Sequence, residues 1–467
     1  MTITYVSTRG SAPELDFADV LLAGLAVDGG LYVPSQWPGL PVGALERFAT
    51  MTYPSVAFEV MWPFVEGSID RDSFETAVHD AYATFDSPEV VPLRDLGDDL
   101  HLAELWHGPT LAFKDIALQL VGRLFDLELR RRSERVTIVG ATSGDTGSAA
   151  IEALRDRDTA EVFILHPAGR VSEVQRRQMT TVLSPNIHNL AIEGTFDDCQ
   201  DIVKALFADE PFRTRRNLSA VNSINWARVM AQIVYYVTSA VRLGGSAGRP
   251  VAFSVPTGNF GNVFAGYGAQ RMGVPIVQFV VASNRNDILT QFLTTGSMTI
   301  GEVHPTLSPS MDIQVSSNLE RLLFEVHGRD GAAIAELMAR FRAEGTVSVD
   351  AERLDLLSEH WSAARVDDAA TAATIARTHE RTGVTLDPHT AVGLAAALEA
   401  RTDPSVPIVV LSTAHPAKFP DAVESAIGLR PPLPAHLADL FERPERYEVL
   451  PNDYAVVRRA IEDALGS

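Results

Sequence analysis

Arg135-Val-Thr-Ile-Val-Gly-Ala-Thr-Ser-Gly-Asp-Thr-Gly-Ser-Ala-Ala-Ile-Glu-Ala-Leu154 reads as a strand, a tight turn and a helix. The β-branched apolar run at its start has the unbroken hydrophobicity of a parallel strand buried on both faces. The Thr-Ser-Gly-Asp-Thr-Gly stretch supplies turn and cap residues, and the Ala-rich run after it is a helix former. The same rhythm recurs on either side. Strands are expected near residues 100–106, 161–166, 185–192, 251–255, 276–282 and 408–412, with helices near 195–207, 223–243 and 390–400. Strands alternating with helices imply an α/β fold with a largely parallel sheet. Residues 1–92 break the rhythm and read as a mostly helical leading domain, in which Asp28-Gly-Gly precedes a short strand at Leu31-Tyr-Val. The expected division is a leading domain at 1–92, a large domain at 93–134 and 224–430, a small α/β domain at 135–223 inserted in it, and a helical tail at 431–467.

Composition narrows the partners. The chain has 467 residues, 46% hydrophobic and 21% charged, which is the balance of a globular protein with sizeable cores. A net charge of −21 argues against nucleic acid or an anionic membrane as partner, while leaving room for a local pocket that takes an anion. Cys199 is the only cysteine, so a disulfide framework and a Cys-based zinc site are excluded. The N-terminus has no basic stretch followed by an apolar one, and no apolar run is long enough to span a bilayer. A cytoplasmic protein without a metal centre is the expectation.

Four stretches carry candidate chemistry. In His107-Gly-Pro-Thr-Leu-Ala-Phe-Lys-Asp115, Lys114 stands among Leu111, Ala112, Phe113, Ile116 and Ala117. A helix is expected from about Thr110, with Pro109 at its entrance and Phe113, Ile116, Ala117 and Leu120 on one apolar stripe. A lysine there either snorkels to water or is desolvated, and a desolvated amine is suited to forming a Schiff base with an aldehyde. Thr142 to Gly147 opens a helix, so its N–H groups and hydroxyls suit a carboxylate; an ordinary N-cap is the plain alternative. Pro256-Thr-Gly-Asn-Phe-Gly-Asn262 follows a strand and opens a helix, and its glycines allow a close wrap around a phosphate. It is neither a nucleotide P-loop nor a dinucleotide fingerprint. Ser412-Thr-Ala-His-Pro-Ala-Lys418 ends the last strand, where open α/β sheets bind ligands. Thr413 offers a hydroxyl to a ring nitrogen, and His415 and Lys418 are candidates for a phosphate. A reactive lysine, a phosphate cup, a hydroxyl for a pyridine and a carboxylate turn are together the parts of a site for pyridoxal 5′-phosphate (PLP).

With these motifs in order, the chain resembles the threonine synthase family, in the fungal and enterobacterial branch of the fold-type II PLP enzymes. Ser7-Thr-Arg-Gly10, Asp28-Gly-Gly-Leu-Tyr-Val-Pro34, His166-Pro-Ala-Gly-Arg-Val-Ser172 and Asp387-Pro-His-Thr-Ala-Val-Gly393 extend the resemblance over nearly the whole length. It implies two open α/β domains with the cofactor between them, plus the N-terminal domain. It implies that Lys114 carries PLP, that Gly258, Asn259, Phe260, Gly261 and Asn262 hold its phosphate, and that Thr413 faces the pyridine nitrogen. Thr142, Ser143, Gly144, Asp145 and Thr146 would surround the substrate carboxylate and the ring. Asp145 stands where the wider fold has Asn. An ionised Asp only accepts hydrogen bonds, so its role differs from that of an Asn.

The implied reaction takes O-phospho-L-homoserine and water to L-threonine and phosphate, by γ-elimination and then β-addition of water, in a monomer or homodimer. Arg9, Lys418 and Arg228 are the cations proposed for the substrate phosphate. Two other readings use the same residues. One is a phospho-lyase that releases α-ketobutyrate, ammonia and phosphate. The other is a silent sensor of PLP or of a phosphorylated amino acid, which the intact Lys114 disfavours.

Overall fold

A computed structural model describes residues 2–142, 144–220 and 222–466. The chain forms two compact units, Met1–Gly108 with Ser223–Pro431, and Pro109–Asn222 with Pro432–Ser467.

The first unit is built on a six-stranded sheet. Its strand order is Trp361–Arg365, Ile276–Ser283, Val251–Pro256, Ile408–Ser412, Leu100–Glu104, Leu93–Asp95. All neighbours are parallel except the last pair. The expected unbroken burial is found: every residue of Val251–Pro256 and of Ile408–Ser412 is buried. The helix Pro388–Ala400 lies on this sheet so closely that a Cβ on Gly393 would stand 2.9 Å from Pro256 Cγ. Inside the contact the Ser254 hydroxyl donates to Gly393 O at 2.7 Å, which satisfies a polar group in an otherwise apolar layer. Because Val251–Pro256 and Ile408–Ser412 are adjacent parallel strands, the turns after Pro256 and after Ser412 emerge side by side at one edge. The leading residues cluster with this unit. Tyr5–Ser7 pairs antiparallel with Tyr32–Pro34, and the helices Phe17–Ala23, Tyr53–Val65 and Arg71–Tyr82 follow.

The second unit holds a five-stranded parallel sheet. Its order is Glu448–Pro451, Ile187–Glu193, Ala160–Pro167, Val136–Ala141, Leu218–Ser219. The long helix Lys114–Arg132 packs on the helix Asp145–Leu154, and the approach is tight. A Cβ on Gly122 would stand 2.4 Å from Ala153 O. Helices Phe196–Ala208 and Tyr454–Ala464 cover the other side through Cys199, Ile202, Leu206, Val457 and Ile461.

Three features depart from the expectation. The Lys114 helix clusters with the small sheet and not with the large one. The tail is not purely helical, because Glu448–Pro451 adds an edge strand. The helix starts at Lys114 and not near Thr110, because Leu111 has φ +63°, a left-handed conformation that no helix continues through. The cause is downstream. The Asp115 carboxylate accepts from Thr110 N at 2.8 Å and Thr110 Oγ1 at 2.7 Å, which folds the preceding turn back over the helix start.

Candidate active site

In the second unit, the Thr110–Asp115 turn is further held by Gln178, whose amide donates to Thr110 O at 3.1 Å. Lys114 is thereby fixed at the first position of its helix, with a side chain 11% exposed. Its Nζ lies 3.4 Å from Asp145 Oδ2 and 5.4 Å from the centre of the Phe113 ring. The other oxygen of Asp145 accepts from Gln175 Nε2 at 2.8 Å. Gly144 has φ +138°, and a Cβ there would stand 2.6 Å from Gln175 Cδ, so only glycine fits. Thr142 Oγ1 accepts from the N–H groups of Gly144 (3.0 Å) and Gly147 (2.9 Å) and so shapes the turn. Gly144, at the N-cap of the helix Asp145–Leu154, has no side chain to cap it, and the N–H groups of Asp145 and Thr146 have no intrahelical acceptor. Ser143 lies outside the described residues.

In the first unit, the turn after Pro256 presents donors because its carbonyls are engaged elsewhere. Ser316 Oγ donates to Gly258 O at 2.7 Å, and Asn318 Nδ2 donates to Asn259 O at 2.8 Å. A Cβ on Gly258 would stand 2.6 Å from Ser310 O. Phe260 caps the helix Gly261–Arg271 at φ +63°, and its ring stacks on Trp361 at 5.4 Å. Asn262 is 8% exposed. Its Oδ1 accepts from Tyr235 and Tyr236, while its Nδ2 is sealed from solvent with no acceptor among the described residues. The segment beside the cup is pinned by Arg321. This fully buried side chain reaches Tyr32 O, Ile224 O and Asn318 Oδ1, and burial pushes its pKa down to about 9.

A second buried arginine contrasts with it. Arg228 is 4% exposed in the first turn of the helix Trp226–Arg242, and its Nε and Nη1 meet no acceptor among the described residues. Burial alone pushes its pKa down to about 10. A guanidinium left in this state is costly unless an anion arrives.

At the neighbouring turn, Thr413 N donates to Thr390 Oγ1 at 3.3 Å. Thr390 is anchored on the fully buried Asp387, which also accepts from His389 Nδ1 at 2.9 Å. Lys418 is fully buried on the short turn Pro416–Lys418. His415 is held as a neutral imidazole. Its Nδ1 accepts from Ala417 N at 3.1 Å, and burial, aided by the charge of His107, pushes its pKa down to about 4. His107 itself sits between Asp86 (2.7 Å) and Glu104 (3.0 Å) and stacks on Trp106. Burial works against its charge, but the two carboxylates outweigh it and hold the imidazole pKa above its usual value.

Arg9 is placed differently from the expectation. Its guanidinium meets both oxygens of Glu320, at 3.1 and 2.9 Å, and Thr8 Oγ1 joins the same carboxylate. The charge is already engaged, and the pair fastens the leading strand to the helix Leu319–Val326. Gln175, Tyr235, Tyr236 and Asn318 were not singled out from sequence, since each meets a partner distant in the chain, and Asp387 was read only as part of a motif. Among the described residues no helix is long and apolar enough to cross a membrane, and no group of three or more His, Cys, Asp or Glu is placed to hold a metal ion.

Comparison with known proteins agrees along the whole chain. Residues 4–82 match the family model "Threonine synthase N terminus", 87–341 match "Pyridoxal-phosphate dependent enzyme", and 390–461 match "Threonine synthase, C-terminal". Threonine synthase of Pseudomonas aeruginosa is 57% identical over 455 residues, covering 97% of both chains. The crystal structure of PLP-bound threonine synthase from Brucella melitensis superposes with TM-score 0.97 at 50% identity and covers all of both chains. That of the yeast enzyme gives TM-score 0.94 at 39% identity over 99% of each.

Proposed function

The chain belongs to the threonine synthase family and is a PLP-dependent enzyme, and we propose the following division of labour for converting O-phospho-L-homoserine and water to L-threonine and phosphate. Bound PLP supplies an aldehyde that takes up an amine and a pyridine ring that absorbs electron density as carbon loses protons. The residues at hand fit its phosphate. The Gly258 to Gly261 turn admits no side chain at Gly258, and the Gly261 helix opens there with first-turn N–H groups that have no intrahelical acceptor.

Lys114 would hold the cofactor through Nζ, and as a free amine it would take the proton from Cα of the substrate and move protons at Cβ and Cγ. Asp145, oriented by Gln175, keeps the amine in place near the ring. The N–H groups of Asp145 and Thr146, on the turn that Thr142, Ser143 and Gly144 form, bind the substrate carboxylate. Thr413 presents its hydroxyl to the pyridine nitrogen, backed by Thr390 and Asp387. Arg228 receives the substrate phosphate, with Lys418 as the second cation. Arg9, engaged by Glu320, is assigned to structure. The reaction uses small molecules alone, in the cytoplasm, in a monomer or homodimer.

One observation carries this reading beyond a one-phosphate lyase. Apart from the glycine-rich turn after Pro256, the first unit buries an arginine, Arg228, whose Nε and Nη1 meet no acceptor among the described residues, and this cofactor and substrate bring two phosphates. The test is product analysis with O-phospho-L-homoserine, beside Lys114→Ala. Threonine and phosphate in equal amounts, with the cofactor absorption band lost in the variant, are expected. Phosphate with α-ketobutyrate and no threonine would replace this reading by the ammonia-releasing one.

A further inference from the structure

The helix Glu173–Thr180 of the second unit turns two faces to two different segments. Val174, Gln175 and Gln178 share one face, and Arg176, Arg177 and Thr180 share the other, as 3.6 residues per turn requires. The first face meets the Lys114 site. Gln175 Nε2 donates to Asp145 Oδ1 at 2.8 Å, Gln178 Nε2 donates to Thr110 O at 3.1 Å, and Val174 packs with Leu111. The second face meets the C-terminal tail. The Glu445 carboxylate takes the Arg176 guanidinium and lies 3.5 Å from Arg177 Nη2. Thr180 Oγ1 stands 2.6 Å from the same carboxylate but also 2.9 Å from Arg176 O, so the two arginines carry the grip. Glu173 reaches both arginines too, from an exposed position. Arg446 N donates to Thr180 O at 2.7 Å and ties the tail backbone to the end of the helix.

The tail also reaches the lysine turn directly. Leu111 is fully buried in an apolar cluster with Val174, Leu437 and Leu440, and Leu433 packs against that cluster. Leu111 holds φ +63°. A bulky side chain is disfavoured in that conformation, which persists only where the surroundings impose it. Asp115 and Gln178 fix the backbone of Thr110, and the tail leucines hold the Leu111 side chain. Lys114 follows three residues later, at the first position of its helix.

We propose that the tail segment 433–446 is a positioning element for Lys114. Glu445 sets the helix that carries Gln175 and Gln178, while Leu437 and Leu440 keep the Leu111 turn in its left-handed conformation. This rests on the reading that Lys114 carries the cofactor beside Asp145. Losing the tail contacts loosens the Asp145 carboxylate from Nζ. A nearby carboxylate favours the charged form of a nitrogen, so the loosened pair titrates at lower pH.

The test follows the absorption band of the cofactor-loaded, full-length enzyme against pH, beside kcat and KM. The variants are Glu445→Ala, Leu437→Ala and Leu111→Gly. Each is expected to lower the pKa of the band by about half a pH unit or more and kcat by about threefold or more, with KM within about twofold. Leu111→Gly is informative because glycine adopts φ +63° freely, so this variant removes the anchor without adding strain. Ile461→Ala, in the cluster on the other side of the sheet, is the control for lost stability. It is expected to lower the melting temperature and leave the band and kcat as they were. Asp145→Asn is the control for the underlying reading and is expected to lower the pKa of the band. If Asp145→Asn lowers it and the tail variants do not, the tail is overturned as a positioning element while the Lys114–Asp145 reading stands. If Asp145→Asn leaves it unchanged, that reading falls and the proposal with it. A shift in Ile461→Ala as large as in the tail variants would reduce the effect to stability and overturn the proposal. Should one tail variant not fold, the others decide by the same shift. Where the parent band does not titrate, the rate at which added PLP forms it in the cofactor-stripped chain replaces the pKa in each comparison.

Discussion

The amide of Gln175 donates to one oxygen of Asp145 at 2.8 Å while the Lys114 ammonium stands 3.4 Å from the other. The carboxylate is thus held from two sides, and the glutamine fixes where the lysine rests. Gln175→Met removes the donor at similar size. Turnover is expected to fall about tenfold, the worth of a hydrogen bond to a charged group, with PLP affinity unchanged. Steady-state kinetics beside a PLP titration check it.

Arg228→Met should separate stability from function. It removes a buried, unsatisfied charge and fills the space with an apolar chain. Without phosphate or substrate the variant is expected to melt at a higher temperature than the parent. With substrate, KM should rise by at least about tenfold, as for a lost charge-assisted contact, and PLP affinity should hold. An unchanged KM would remove Arg228 from the substrate site.

The cluster of His107, Asp86 and Glu104 gives a pH dependence with a definite sign. Since the folded pKa of His107 lies above its ordinary 6.5, its contribution to stability is complete below that value and is lost as pH rises through the raised pKa. Glu104 runs oppositely. Burial works against its charge, but the hydrogen bonds from His107 and Arg94 outweigh it and depress its pKa. Its contribution is present above the ordinary 4.5 and disappears as pH falls through the depressed pKa. Stability from this cluster is therefore greatest between the two carboxylate and imidazole ranges. His107→Gln should flatten the loss on the alkaline side, measured by urea denaturation on either side of neutrality.

Gly122→Ala tests the packing under the lysine. Its Cβ would stand 2.4 Å from Ala153 O, a backbone atom that has no rotamer to escape to. A loss of about 1–3 kcal/mol is expected from overpacking, read as a lower denaturant midpoint. Gly97→Ala is the contrasting case, since there the cost is backbone strain at φ +85° without any contact.

The parallel sheets were legible because their strands are short apolar runs buried on both faces, as at Val136–Ala141 and Ile408–Ser412. The turn after Pro256 was legible as a break between strand and helix because two glycines follow a buried apolar run there. What the sequence hid is what depends on distant pairs. The Lys114 helix starts late because Asp115 captures Thr110, a choice that a helical pattern does not reveal. Arg9 looked like a ligand because Glu320 lies 311 positions further along the chain. Asn262 reads from sequence as one more residue of the turn, and its contacts to Tyr235 and Tyr236 come from another helix. The edge strand Glu448–Pro451 was missed because four residues with one buried side chain carry almost no period.

That last strand has a bearing on synthesis. The sheet it completes begins at Val136, so its neighbour Ile187–Glu193 has a bare edge until residues 448–451 have been made. The other unit waits as well, since Ile408–Ser412 must enter between Leu100–Glu104 and Val251–Pro256, both made well before it. Each sheet thus carries an unpaired parallel edge during synthesis, and such an edge is a template for aggregation.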